Sequence, residues 1–170
     1  SESNLKHLPL ILIAVAFGTV VGFVAAKKVQ MTQMPQMVAL FNGVGGGAAM
    51  AVSSIEFLKA GATDGFVALF ATVFTVVIGS ISFTGSIVTF LKLQELMTSR
   101  PVVLPLGRFI TIGTAIATAF MSVYLIIFPE NWALWTLVAL SLVMGILFVL
   151  PVGGADVPIV ISLLNAFTGL

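Results

Sequence analysis

No charged side chain occurs from Gly65 to Leu91, and comparable gaps run from Val29 to Ile55, Phe109 to Pro129 and Asn131 to Ala155. Uncharged apolar runs of this length constrain the chain more than any motif in it. A bilayer core of about 30 Å is crossed by about 20 helical residues rising about 1.5 Å each. The runs predict five complete helices over about 8–26, 35–58, 65–91, 108–128 and 132–151. A sixth starts near 156 and is still apolar at Leu170, so the chain reads as a single transmembrane domain over 1–170 cut from a longer subunit. Barrel strands would alternate strictly over about 10 residues, and the run from Phe66 to Phe83 does not. The expected fold is all-α: a polytopic transmembrane helical bundle.

Composition closes off other classes. The chain is 59% hydrophobic and 8% charged, against about 25% charged in a soluble domain. A net charge of +1 with scattered basic residues offers no face for nucleic acid. With no Cys and a single His, His7, neither a disulfide framework nor a Cys/His metal site is expected. The expected surroundings are a lipid bilayer.

Positive charge predicts orientation. Lys27 and Lys28 follow the first run, and Lys92, Arg100 and Arg108 flank the loop after the third, while Lys6 and Lys59 stand alone on the other side. Loops 27–34, 92–108 and 151–157 are therefore expected on the cytoplasmic or matrix side. Pro129, Glu130 and Asn131 then lie opposite, with Trp132 and Trp135 as interfacial anchors and Glu56 near the same interface.

Polar groups within the spans are costly unless partnered, which makes them candidates for function. Asn42 falls about 10 Å below the inner surface and Asn165 about 13 Å, by helical rise from the nearest loop. Ser82, Thr84 and Ser86 descend to the same depth from the other direction, with Thr114 and Thr118 nearby. An amide and hydroxyl layer is expected there, able to hold water and pass protons along hydrogen bonds, although no member titrates near neutrality. Close packing and bonding to the helix's own carbonyls are the competing reading. After Asn42 comes Gly43-Val44-Gly45-Gly46-Gly47, which predicts either a tightly apposed helix or a hinge. In the inner loop Pro151-Val152-Gly153-Gly154-Ala155-Asp156-Val157-Pro158, the glycines permit positive φ, Asp156 is placed to cap the next helix, and Pro158 suits its first turn. The glycine run lacks the strand and turn of a dinucleotide fingerprint, and no nucleophile and base pair stands out, so catalysis by this segment alone is not expected.

Three segments resemble the β subunit of proton-translocating NAD(P) transhydrogenase. They are Ala26-Lys27-Lys28-Val29-Gln30-Met31-Thr32-Gln33-Met34-Pro35-Gln36-Met37-Val38-Ala39 with the glycine run, Phe83-Thr84-Gly85-Ser86, and Gly153-Gly154-Ala155-Asp156-Val157-Pro158 through Ser162-Leu163-Leu164-Asn165. The resemblance covers part of that subunit's membrane domain. It implies a domain coupling inward proton movement to hydride transfer between NAD(H) and NADP(H), both held in soluble domains, with no cofactor bound by this segment. The implied partners are an α-type membrane subunit, an NADP(H)-binding soluble domain and an NAD(H)-binding subunit, assembled as a dimer of αβ units. The implied location is the bacterial cytoplasmic membrane or the mitochondrial inner membrane. By resemblance Asn165 and Ser86 belong to the proton path, Asp156 to the loop facing the NADP(H) domain, and Gly46 and Gly79 to helix contacts, with Gly45 and Gly47 beside them. Some members carry histidine at the position of Asn42, which cannot itself take up a proton; the resemblance then implies a titrating histidine in the partner membrane subunit. Gln33 and Gln36, where relatives carry acids, leave the inner mouth less charged. A secondary transporter or channel fragment using the Asn and Ser layer is the alternative, and a purely structural scaffold is a third reading.

Overall fold

Helix boundaries follow the charges and prolines that interrupt the apolar runs. A computed structural model describes residues 7–60 and 65–169; Lys6 and Leu170 lie outside them. The chain divides into two units, residues 1–34 and 35–170. In the first, α1 (Leu8–Lys28) begins with proline in its opening turn, where no amide donor is required. Apolar residues cover every face of α1, as on a helix surrounded by lipid. Lys27 and Lys28 close it at the negative end of its dipole, with the Lys27 ammonium 4.6 Å from the Phe23 ring centre. A short 3-10 turn, Met31–Gln33, follows.

The second unit holds α2 (Met34–Ala60) from its second residue on, α3 (Phe66–Leu93), α4 (Gly107–Ile127), α5 (Asn131–Val149) and the shorter α6 (Val157–Thr168). Helices α1 to α5 are long and apolar enough to cross a membrane; α6, with 12 residues, is not. The protein is thus an all-helical membrane protein, as its uncharged runs predict.

Helix α3 is the hub: it packs along α5, against α6 and against α4, while α4 also packs along α5. Its buried stripe changes character along its length. Leu69, Val73 and Val76 join Phe57, Met121, Leu125, Leu134 and Leu137 in an apolar core, whereas Ser80, Ser82, Ser86, Thr89 and Lys92 occupy the buried face further on. Smaller apolar clusters flank the polar stretch, one around Val88, Val149 and Leu164 and one around Ala39, Val157 and Ile161.

The glycine run lies inside a continuous helix, so its contribution is close approach rather than a hinge. A Cβ on Gly79 would stand 2.6 Å from the Gly46 carbonyl oxygen, and one on Gly46 would stand 2.9 Å from that of Gly79. A Cβ on Gly47 would meet the Phe83 ring at 2.8 Å. Gly45 faces open space, so its expected part in helix packing has no counterpart among the described residues.

The loops differ from expectation in two respects. Neither Gly153 nor Gly154 takes a positive φ; Gly154 is needed for proximity, because its Cβ would lie 3.1 Å from that of Ser99. Asp156 stands at the N-terminus of α6 with φ −92° and ψ −9°, and its side chain makes no capping bond. A capping carboxylate needs extended backbone at that residue to reach the first free amides, and this helical conformation turns it away.

Candidate functional site

Three helices meet at Asn42. From α2 its amide Nδ2 donates to Ser86 Oγ of α3 at 2.8 Å, and its Oδ1 accepts from Thr168 Oγ1 of α6 at 3.1 Å. Asn42 is 7% exposed and Ser86 fully buried. Local sequence makes the approach possible: Gly43 follows Asn42 in the groove, where a Cβ would lie 3.1 Å from that of Ser86. A larger residue at 43 would press on Ser86, which would have to give way by a few tenths of an ångström.

The Thr168 hydroxyl carries one proton and has three acceptors within reach: Asn42 Oδ1, and the Leu164 and Asn165 carbonyls at 2.9 and 3.0 Å. It can therefore point along its own helix or across to α2, a two-position donor at the centre of the junction. Ser82 extends the contact, its Oγ donating to the Leu164 carbonyl at 3.5 Å. Thr89 lies one turn beyond Ser86 on the same face, fully buried, and its Oγ1 has no hydrogen-bond partner. An orphan hydroxyl in a buried stripe marks a place that favours water or another polar group.

The other predicted members separate into those the fold brings here and those it does not. The Asn165 side chain is exposed on α6, and only its backbone carbonyl joins the junction through Thr168. Thr114 and Thr118 each donate to the carbonyl four residues earlier in α4, the structural alternative for membrane hydroxyls. Thr84 bonds Ser80 of its own helix and, at 2.8 Å, the Leu142 carbonyl of α5, so it ties helices rather than lining the layer.

At the loop end the backbone is stitched together. Gly154 N donates to the Ser99 carbonyl at 2.8 Å and Val102 N to that of Leu150 at 3.0 Å. Gln36 Nε2 donates to the Leu93 carbonyl at 2.8 Å and Gln36 Oε1 accepts from Gln94 Nε2 at 2.5 Å, an amide bridge between the start of α2 and the end of α3. Asp156 is exposed beside this region. A cavity of about 500 Å³ between α4 and α5 is lined mainly by apolar residues such as Val103, Ile112 and Phe148 and shares no residue with the Asn42 junction.

The family model described as NAD(P) transhydrogenase beta subunit matches residues 1–170. The chain belongs to that family. A protein named NAD(P) transhydrogenase subunit beta from Rhodospirillum rubrum is 35% identical over 167 residues, covering 94% of this chain and 36% of the relative. A protein of the same name from a defined strain of that species matches equally. The chain thus spans about a third of the length of the transhydrogenase subunits it matches.

Sequence reasoning about this transhydrogenase family member missed three residues. Thr168 carried a signal, since it follows Asn165 by three residues and so lies near the same helix face. Thr89 carried the same signal relative to Ser86. Lys92 gave none: next to a loop it reads as a charge facing lipid headgroups, yet it is 1% exposed.

Proposed function

We propose that this chain is the proton-translocating part of a transhydrogenase β subunit, coupling proton movement across the membrane to hydride transfer between NAD(H) and NADP(H) bound in separate soluble domains. The observation that carries the reading is the buried Asn42, Ser86 and Thr168 junction, which joins α2, α3 and α6 by side-chain hydrogen bonds in a chain of this family. Hydride transfer takes place elsewhere in the complex. This segment supplies the gated polar path.

None of the three side chains changes charge near neutral pH, so they position water and exchange hydrogen bonds while a histidine of the α-type membrane subunit takes up the proton. The exposed Asn165 amide belongs on the surface that meets that subunit. Asp156 faces the NADP(H)-binding domain from the cytoplasmic or matrix side, together with loops 27–34 and 92–108. Movement at Gly153 to Asp156 shifts α6 and so changes which acceptor the Thr168 hydroxyl takes. Each nucleotide state must favour a different arrangement, since coupling requires differential free energy between states. The working assembly is a dimer of αβ units, with an NAD(H)-binding subunit, in the bacterial cytoplasmic or mitochondrial inner membrane.

The test is the complete complex in proteoliposomes, with reduction of an NAD analogue by NADPH recorded alongside internal pH. A pH change tied to hydride transfer and abolished by uncoupler is expected. Hydride transfer without proton movement in an intact preparation would overturn the reading.

A further inference from the structure

Lys92 is the one buried charged side chain among the described residues. Its ammonium donates to three backbone carbonyls, those of Val149 at 3.1 Å, Leu150 at 2.6 Å and Val152 at 2.8 Å. An ammonium has three donors, so three acceptors satisfy it completely. Helix α5 ends at Val149, and its last carbonyls have no amide partners within the helix and stand at the negative end of its dipole. The cation and the helix end therefore answer each other's needs, which accounts for a lysine buried without a carboxylate partner.

The connections continue from there. The Lys92 carbonyl accepts from Ser99 Oγ at 3.2 Å, the Ser99 carbonyl accepts from Gly154 N, and the Leu150 carbonyl accepts from Val102 N. Two loops that are distant in sequence are thus closed into one hydrogen-bonded ring, with Lys92 at its helical side. Along α3, Lys92 lies six residues after Ser86, about 9 Å along the axis. In the other direction, the gripped segment runs through Gly153 and Asp156 into α6, which carries Thr168.

We propose that Lys92 is the positioning residue that makes the end of α3 and the segment 149–156 move as one body, so that displacement of the loop reaches Ser86 and Thr168 together. This rests on the function proposed above. Without the ammonium, the loop could shift while α3 stayed in place, and the Asn42 junction would no longer register the loop's position. A lysine that merely satisfied carbonyls would affect stability alone, leaving the number of protons moved per hydride unchanged.

The experiment uses the complete complex in proteoliposomes and reads the ratio of uncoupler-sensitive proton movement to hydride transferred. Lys92→Met keeps most of the length of the side chain and removes its donors; the ratio is expected to fall below the native value while hydride transfer continues. Lys92→Arg, which keeps charge and donors, is expected to retain more of the ratio than Lys92→Met. A second variant replaces the tie covalently. The Cβ of a residue at 154 lies 3.1 Å from that of Ser99, within a small backbone adjustment of the roughly 3.5–4.5 Å a disulfide requires. In Ser99→Cys/Gly154→Cys combined with Lys92→Met, oxidation is expected to raise the ratio over that of the same variant reduced. With Lys92 present, oxidation of the cysteine pair is expected to leave the ratio where its reduced form has it.

A native ratio in Lys92→Met overturns the proposal. So does loss of coupling on oxidation of the pair with Lys92 present, because the two loops would then have to part during turnover; this arm decides the matter even where Lys92→Met fails to assemble. Absence of any uncoupler-sensitive signal in the native complex would instead overturn the functional reading on which the proposal rests.

Discussion

Asn42 and Ser86, on different helices and 44 residues apart, share a buried hydrogen bond of 2.8 Å from amide to hydroxyl. The bond is possible because Gly43 makes room for Ser86 beside it, and because Gly46 and Gly79 let α2 and α3 approach to backbone contact one turn further along. Packing and polarity are thus one arrangement: small residues set the distance, and the distance sets which hydroxyl the amide meets.

Gly79→Ala places a methyl 2.6 Å from the Gly46 carbonyl oxygen, and backbone cannot yield as a side chain can. The helices would separate, at a cost of about 1–3 kcal/mol, typical of overpacking. Thermal unfolding of the purified complex in detergent should show a lower midpoint for this variant. Gly45→Ala meets nothing within 4 Å and should leave the midpoint unchanged or raise it, alanine being favoured over glycine in a helix by up to about 1 kcal/mol.

Thr89→Val removes a buried hydroxyl that has no partner, at nearly constant volume. If dry packing were its whole role, the change would stabilise by about 1–3 kcal/mol, the cost of an unsatisfied buried group, with no other effect. The expected result is a higher unfolding midpoint together with slower uncoupler-sensitive proton movement, measured on the same preparation.

Thr168→Val deletes the donor shared between Asn42 and the α6 carbonyls. Helix α6 keeps its backbone bonds, so stability should change by about 1 kcal/mol or less, the net worth of an ordinary hydrogen bond. Proton movement per hydride should fall. Thr168→Ser, which keeps the hydroxyl, should stay near native in both measurements.

Much of the fold could be read from the sequence, because each span is bounded by charges or prolines that a helix in lipid cannot accommodate in its middle. Depth was legible too: counting residues from a loop is enough to bring Asn42 and Ser86 to one level. Azimuth was not. Whether Asn165 faces the junction or the outside depends on how α6 is rotated, and a 12-residue helix packed on one side leaves that to its neighbours. Chain position also misled for Lys92, since loop-end lysines usually reach toward headgroups, while here the carbonyls at and just beyond the end of α5, which no amide of that helix pairs, draw the ammonium inward. The glycine run showed that something packs closely; only the structure separates Gly46, in contact, from Gly45, in the open.

The most direct test of the central claim is internal pH recorded during hydride transfer by proteoliposomes of the complete complex carrying Asn42→Leu. Leucine has the same number of side-chain heavy atoms with the same branching, and it breaks both bonds of the junction. The account predicts that uncoupler-sensitive proton movement is lost while both nucleotides still bind with native affinity. Native proton movement in that variant would contradict it.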